Sequence, residues 1–371
     1  MSDEATRPRL TWKAGGGVLL LGIVLTLLAM ARVLWPLLSG PKSHAIGDGR
    51  SVESYGFDLS NLLVSGDELT AGGMPRDGIP VLDAPPLIDA AQVLALARKG
   101  RAKYLVSSDR VIGVQLNGVS RCYPILAVQW HEVINDTLGG VPIAVTYNPL
   151  CDAAVVFDRR VAGRLTRFGA SGLLWNSNLV LYDRDTPSPS LFSQLQARAI
   201  AGPLAAEACS LQVLRSAVLP WGDWHHLAPN TTCLARTDLY YERYRRQPYA
   251  PYFGDDRLRF AVRPLPAPGP HRLKSPCLVL RTKGATIVAP VASLLARAEA
   301  AGTATGAGGT TELTIEGRPV RIHLSREPEA AWINPDQELA QGTAVFAAFR
   351  FAWYAQHPES AFLDSDLRAA G

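Results

Sequence analysis

The chain has 371 residues, of which 47% are hydrophobic and 19% are charged, and its formal net charge is +4. This composition supplies enough apolar side chains for a packed core, which excludes disordered and fibrous classes and favours one or two globular domains. Residues 1–40 hold four of the basic and two of the acidic side chains, so the rest of the chain is only weakly basic. We therefore expect no nucleic-acid partner.

The N-terminal region contains an uncharged segment of membrane length. Residues 14–31 run for 18 residues without a charge, about 27 Å of helix, and the apolar residues that follow can extend it. Three basic residues precede it, which predicts a cytoplasmic stretch over 1–13, a transmembrane anchor over 14–38 and an extracytoplasmic main chain. The alternative is a secreted protein whose signal peptide is cleaved near Ala31, because Ala29 and Ala31 form an A-x-A pattern.

Beyond the predicted anchor, the sequence divides into a linker and one globular domain. Residues 39–75 are rich in Gly, Ser and Asp with weak periodicity, which predicts the linker, and the domain then covers 76–371. The hydrophobic patterns predict a first β-rich unit at about 101–160, a connecting region at about 161–270, a second β-rich unit at about 271–335 and a C-terminal helix at about 343–357.

Local signals within the domain favour an α+β, β-rich fold. Residues 85–100 have apolar positions at helical spacing, with Pro at the start and Gly at the end, and so predict a helix. Alternating or β-branched runs bounded by Gly, Pro and Asp predict strands at 111–118, 141–147 and 153–157.

Two stretches of the sequence resemble later ones. Apolar, Gly and Pro positions of 112–125 recur in the same order in 278–291, and those of 142–156 recur in 319–333. This recurrence predicts two related β-rich units, an internal duplication, behind one N-terminal transmembrane helix. The polar residues are not shared, so any site is expected in the first unit.

The chemistry-bearing residues of the first unit cluster in two short motifs. The motif at 130–136, WHEVIND, is interpreted as a helical turn with His131 and Asn135 on one face, and Asn135 stands where a zinc protease needs its second His. Imidazole and thiolate together bind copper or zinc, so His131 near Cys151 predicts a metal site. The alternative is a buried hydrogen-bonded cluster with an inert Cys151. The candidate ligand or metal residues are His131, Glu132, Asp136, Cys151 and Asp152.

A further set of polar residues is suited to lining a ligand pocket or, equally well, to forming tight turns. These residues are Tyr147, Asn148, Ser171, Asn176, Asp183 and Gln194. A hydrolase with Ser171 as its nucleophile is not supported, because Leu173 stands where G-x-S-x-G requires its second Gly. The five cysteines contain no C-x-x-C motif. In an oxidising compartment, a disulfide between Cys209 and Cys233 is one alternative.

Several longer strings carry a family resemblance: FDLSNLL, GGMPRDGIPVLD, YPILAVQWHEVIND, GGVPIAVTYNPLCDAAVVFDR, FGASGLLWNSNLVLYDR, LFSQL and FAWYAQHP. Together they make the chain from about residue 55 to 362 resemble a prokaryotic family catalogued as domain of unknown function 3179. The family pattern has a Cys-Pro-Leu-Cys-Gly-Thr turn, which implies a paired-thiol or metal site beside the His-Glu motif. Here Cys151 is kept, whereas Asn148, Asp152 and Ala153 replace the first Cys, the Gly and the Thr.

These observations predict a membrane-anchored, extracytoplasmic protein with a small polar site around His131 and Cys151 that binds a metal ion or a small ligand. Whether the site is enzymatic is left open. The alternative from a different class is a non-catalytic binding or assembly module at the cell envelope that has lost the paired-thiol site. The Tyr- and Arg-rich segment 240–252 would then contact its partner.

Overall fold

The structure, a computed structural model, describes residues 22–26, 30, 32, 45–98, 104–236, 241–244 and 246–363. The chain divides into two units, Met1–Ala45 and Ile46–Gly371. In the first unit, residues 22–26, 30 and 32 are helical. The predicted anchor over 14–38 lies mostly outside the described residues, and among the described residues no helix is long and apolar enough to cross a membrane.

The second unit is built mainly from strands. They are β1 (Leu69–Ala71), β2 (Leu82–Asp83), β3 (Leu87–Asp89), β4 (Arg110–Leu116), β5 (Val119–Pro124), β6 (Val133–Leu138), β7 (Val141–Asn148), β8 (Ala153–Asp158), β9 (Arg160–Val161), β10 (Arg164–Leu165), β11 (Phe168–Trp175), β12 (Asn178–Asp183), β13 (Leu191–Ser193), β14 (Arg198–Ala201), β15 (Val213–Leu214), β16 (Ala217–Pro220), β17 (Thr232–Leu234), β18 (Pro276–Arg281), β19 (Thr286–Pro290), β20 (Gly308–Ile315), β21 (Arg318–Arg326), β22 (Glu329–Trp332), β23 (Ala344–Phe349) and β24 (Ala361–Phe362). This content confirms the α+β, β-rich class.

Short helices connect these strands. They are α1 (Ala90–Arg98), α2 (Ile125–Val128), α3 (Pro203–Ala206), α4 (Trp221–Leu227), α5 (Tyr241–Tyr244), α6 (Ala250–Phe253), α7 (Val291–Ala300) and α8 (Arg350–Gln356), with 3-10 turns at Glu53–Tyr55 and Gly66–Glu68.

The strands form one large sheet and several smaller ones. The large sheet has the order β2-β6-β7-β8-β23-β18-β19-β24, and β15 pairs with β8 beside this path. Two five-stranded sheets have the orders β1-β11-β12-β13-β14 and β16-β4-β5-β17-β3, and β20-β21-β22 and β9-β10 form the remaining two.

Strands β7 and β8 are covered on both faces. Val145 and Val156 belong to a core shared with β4, β5 and α4, whereas Ala144, Val155 and Phe157 belong to a core shared with β11, β13 and α8. Because successive side chains of a strand point to opposite faces, both sets must be apolar here. The sequence of these two strands is therefore continuously hydrophobic rather than alternating.

The order and pairing of elements recur in two parts of the chain. In the first part, the hairpin β4–β5 is followed by α2 and the meander β6–β7–β8. In the second part, the hairpin β18–β19 is likewise followed by α7 and the meander β20–β21–β22. Farther along the first part, β16 pairs antiparallel with β4 and leads into α4. In the same way, β23 pairs antiparallel with β18 and leads into α8. Finally, β17 adds in parallel to β5, as β24 adds in parallel to β19.

The predicted strands at 111–118, 141–147 and 153–157 are confirmed as β4, β7 and β8. The helix predicted over 85–100 begins later, at Ala90. The reason is a capping box: the Gln92 amide donates to Asp89 Oδ1 at 2.7 Å, and the Asp89 amide donates to Gln92 Oε1 at 3.0 Å.

Two segments differ from their predicted structure because they contribute to the core. Residues 46–75 of the predicted linker pack on the β1–β11 sheet, where Tyr55 is completely buried and its hydroxyl donates to the Met74 carbonyl at 2.6 Å. The predicted C-terminal helix over 343–357 is helical only from Arg350, because β23 occupies residues 344–349.

Two further expectations are corrected. The motif at 130–136 is not one helical turn, because β6 begins at Val133 and pairs with β7, so His131 and Asn135 do not share a helix face. All five cysteines are free thiols, so no disulfide joins Cys209 and Cys233. Cys233 lies instead in register with Cys122 on the parallel strands β17 and β5.

Candidate functional site

The turn between α2 and β6 places His131 and Glu132 inside the molecule. The amides of His131 and Glu132 both donate to the Val128 carbonyl, at 3.0 and 2.8 Å. Glu132 then has φ of 56°, in the left-handed region, which costs a residue other than Gly about 1–3 kcal/mol. The Glu132 carbonyl accepts a hydrogen bond from the Tyr147 amide at 2.8 Å. Backbone contacts on both sides therefore hold Glu132 in this conformation.

His131 is completely buried and hydrogen-bonded through both ring nitrogens. Nδ1 lies 2.6 Å from the Pro80 carbonyl oxygen, and Nε2 lies 2.6 Å from the Tyr244 hydroxyl. Because a carbonyl only accepts, Nδ1 carries the proton and Nε2 accepts from the hydroxyl. Burial lowers the pKa of His131, which favours the same neutral form.

The contacts of His131 and Cys151 give no support to a copper or zinc site. The imidazole nitrogens already have partners, and the Cys151 thiol is completely buried beside the Asn178 amide. Burial raises the pKa of Cys151, so the thiolate that a soft metal needs is disfavoured. Across the described part of the chain, no group of three or more His, Cys, Asp or Glu could hold a metal ion.

The two aspartates of the predicted site are each paired with an arginine. Asp136 accepts a hydrogen bond from Arg121 Nη1 at 2.6 Å. Asp152 accepts one from each terminal nitrogen of Arg110, both at 2.7 Å, and a third from the Tyr147 hydroxyl at 2.6 Å. These carboxylates therefore act as buried anchors for neighbouring strands and turns.

The residues predicted to line a pocket mostly hold strands and turns in place. Ser171 Oγ donates a hydrogen bond to the Val180 carbonyl, and both atoms of the Asn176 side-chain amide form hydrogen bonds with the Arg263 backbone. Asp183 accepts a hydrogen bond from the Ser190 amide, and Asn148 Oδ1 accepts one from the Cys151 amide. The Gln194 side chain donates to the Thr146 hydroxyl and to the Ala153 carbonyl. Ser171 is completely buried, which gives no support to a role as an exposed nucleophile.

A cavity of about 220 Å³ lies beside Glu132. We call it the Glu132 cavity. Strand β11 contributes part of its wall through Ala170 and residues 172–174, although Ser171 on the same strand is not among the lining residues. Its apolar wall includes Leu150, Ala170, Leu174, Leu179 and Phe260, and its polar members are Glu132, Tyr249 and Arg259.

The Glu132 carboxyl is the unusual group of this cavity. The residue is only 7% exposed, and no described residue forms a hydrogen bond or an ion pair with its carboxyl. Burial raises the pKa of Glu132 to about 8. A carboxyl with this pKa is mostly protonated at neutral pH. Unlike His131, Asp136 and Asp152 of the predicted cluster, the Glu132 side chain has no hydrogen-bond partner among the described residues.

Tyr249 and Arg259 form the polar mouth of the cavity. The exposed Arg259 guanidinium lies 5.2 Å from the ring centroids of both Tyr249 and Tyr252, a cation–π arrangement. Burial, followed by the nearby Glu132 charge, raises the pKa of Tyr249 to about 12. Neither residue is among the site residues predicted from the sequence. The one available signal was the interleaving of Tyr and Arg over 240–252, which does not reach Arg259.

Tyr249 also borders a second cavity of about 230 Å³. This cavity is lined by Arg110 and Tyr147, the two partners of Asp152, and by Gln129. Tyr249 therefore lines both the Glu132 cavity and this second cavity.

Comparison with known families places this geometry in context. The model of the family DUF3179, described as a protein of unknown function, matches residues 76–360. The chain belongs to the DUF3179 family. No curated protein and no solved structure matches the chain. The DUF3179 match includes Glu132, Tyr249 and Arg259, so the polar groups of the Glu132 cavity all lie within the family region.

Proposed function

We propose that this DUF3179 protein is a membrane-anchored, extracytoplasmic protein that binds a small organic molecule in the Glu132 cavity. The observation that carries the proposal is a buried carboxyl without a protein partner at the wall of an apolar cavity. Buried polar groups nearly always have a hydrogen-bond partner, and one that lacks it is available to orient a ligand. The volume of about 220 Å³ is below that of drug-sized pockets, which indicates a small ligand.

The N-terminal sequence supports the proposed location. Residues 14–31 are uncharged and apolar, and the basic residues before them favour a cytoplasmic N-terminus. A tag at the C-terminus of the full chain should be accessible to protease added to intact spheroplasts, and the protein should stay in the membrane fraction after an alkaline wash. Release into the medium would instead indicate cleavage near Ala31.

We further infer that the two segments with the same element order are copies of one unit, and that only the first has kept a site. Glu132 lies between α2 and β6. The corresponding connection between α7 and β20, residues 301–307, consists of Ala, Gly and Thr and contains no carboxylate. The chemistry of the cavity is therefore assigned to the first copy.

A fragment screen by ligand-observed NMR on the full chain in detergent tests the binding proposal. Leu174→Trp fills the cavity, Leu179→Phe is a milder filling variant, and Glu132→Gln keeps the shape while removing the acid. Glu53→Gln, at an exposed position, is the matched control. We expect fragments that bind the wild type and Glu53→Gln equally, and that bind folded Leu174→Trp or Leu179→Phe at least about tenfold more weakly.

Equal binding to all variants would place the ligand elsewhere and contradict the proposal. A screen without any binder would favour the alternative, a non-catalytic assembly module. The contact of such a module through residues 240–252 could then be tested by crosslinking in cells.

A further inference from the structure

The Glu132 cavity is lined by one acidic and one basic side chain. Glu132 is buried in its wall, whereas Arg259 is exposed at its mouth. Within the described part of the chain, Arg259 forms no ion pair with a carboxylate. Its faces lie against aromatic rings, so its edge N–H groups remain available to an anion.

These two groups line the cavity from different segments of the chain, and among the described residues no ion pair joins them. Tyr249 lines the same cavity as both groups: burial raises the pKa of Tyr249, the Glu132 charge raises it further and the Arg259 charge lowers it. A ligand that contacts both groups therefore needs its two polar ends separated by a chain, and the apolar wall, with Leu150 and Leu174, fits such a chain.

We infer that the ligand of the Glu132 cavity is a small amino carboxylate whose ammonium group pairs with Glu132 and whose carboxylate pairs with Arg259. This inference rests on the proposed function, because it names the class of molecule that the cavity binds. A charge-assisted hydrogen bond in an apolar site is stronger than one between neutral groups. A zwitterion is the ligand type that uses both available groups.

Binding of the ammonium group requires a proton to leave Glu132. The neutral carboxylic acid loses its O–H proton to the buffer, and the resulting carboxylate accepts N–H hydrogen bonds from the ligand. No covalent bond to the ligand forms, and no oxidant or reductant is needed. At neutral pH, where the empty site is mostly protonated, the release should approach one proton per ligand.

The other titratable groups around Glu132 do not account for such a proton. Burial lowers the pKa of His131 and raises that of Cys151, so both stay neutral at pH 7. Burial also raises the pKa of Tyr249 and of Tyr252. A proton released on binding near pH 7 is therefore assigned to Glu132.

Isothermal titration calorimetry tests the inference on the full chain in detergent. The probes are short ω-amino carboxylates and the n-alkylamine, n-alkanoate and n-alkanol of matched chain length. Titrations at pH 7 in phosphate and in Tris, which differ in ionisation enthalpy, measure the protons released. We expect the amino carboxylate to bind at least about tenfold more tightly than the alkanoate or the alkanol, with release of nearly one proton.

The variants separate the two ends of the ligand. Glu132→Gln should abolish the proton release and the advantage of the ammonium group, and Arg259→Gln should abolish only the advantage of the carboxylate. Glu53→Gln is the control and should behave as the wild type. The inference is overturned if the alkanol binds as tightly as the amino carboxylate and no proton is released. If Leu174→Trp blocks this binding, the ligand still occupies the Glu132 cavity and the proposed function stands. If no probe and no screened fragment binds, both fall.

Discussion

The indole nitrogens of Trp224 and Trp353 make the same contact in two parts of the fold. Each donates a hydrogen bond to a side-chain hydroxyl seven residues later, Thr231 Oγ1 at 3.0 Å and Ser360 Oγ at 3.1 Å. Both tryptophans are completely buried, one in α4 and the other in α8. Each hydroxyl lies beyond the end of its helix, so the bond fixes the chain where it leaves the helix and approaches a parallel strand.

These two hydrogen bonds should contribute similarly to stability. Thr231→Val and Ser360→Ala each leave a buried indole N–H without a partner, which costs about 1–3 kcal/mol of unfolding free energy. Urea denaturation of each variant measures the loss. Ser65→Ala, at an exposed position, should change stability by less than about 0.5 kcal/mol. A Ser360→Ala variant as stable as this control would contradict the equivalence of the two contacts.

Glu132 should make the stability of the protein depend on pH. Its pKa rises from an ordinary value of 4.5 to about 8 on folding, so between these values the unfolded chain loses a proton that the folded protein keeps. The unfolding free energy should therefore fall as pH rises through this window, by up to about 1.4 kcal/mol per unit, and show no further loss from Glu132 above pH 8.

The Glu132→Gln variant isolates this effect. Its stability relative to the wild type should be nearly constant below pH 4.5, grow between pH 4.5 and 8, and level off above. Thermal unfolding across this pH range provides the measurement, with Glu53→Gln as the exposed control. A difference that does not change with pH would show that Glu132 is ionised in the folded protein.

The Arg110–Asp152 pair should be far more important for stability than an exposed ion pair. The two side chains are 19% and 6% exposed, and Asp152→Asn would leave the Arg110 charge without its partner. We expect a loss of about 3–5 kcal/mol in urea denaturation. The exposed pair of Arg326 and Glu299 is the comparison, and Glu299→Gln should cost at most about 1 kcal/mol. Equal losses would mean that burial does not govern these pairs.

The cysteines should differ sharply in reactivity. Cys209 is half-buried, whereas Cys122, Cys151, Cys233 and Cys277 are buried. An aqueous thiol reagent should therefore modify about one thiol in the native protein and all five after unfolding in denaturant. Cys209→Ser should remove the native reaction. A second thiol that reacts quickly in the native Cys209→Ser variant would indicate local opening.

Local sequence patterns predicted the strands near the site but not the helix boundaries around them. The alternation at 111–118 and the β-branched runs at 141–147 and 153–157 are strand signals that depend only on neighbouring residues. Strand β23 carries Val345 and Phe346 into different cores, so its sequence is apolar throughout and indistinguishable from a buried helix by periodicity.

The candidate site was only partly predictable for a different reason. His131, Glu132, Cys151 and Asp152 were all singled out by residue type, but residue type does not tell which of them has a protein partner. Arg110, which neutralises Asp152, precedes the motif, and Arg259, at the mouth of the cavity, comes more than a hundred residues after it. Such pairings are decided by tertiary structure, which no local pattern encodes.

The position of β23 has a consequence for how the protein is made. This strand pairs with β8, and the Phe349 amide donates to the Cys151 carbonyl at 2.7 Å, so the turn beside Glu132 is tied to a strand that is distant in sequence. A ribosome must therefore synthesise the chain through β23 before this scaffold can close. Truncation before residue 344 would leave β18 and the Ala154 end of β8 without their partner strand, and should yield an aggregation-prone product rather than a smaller functional one.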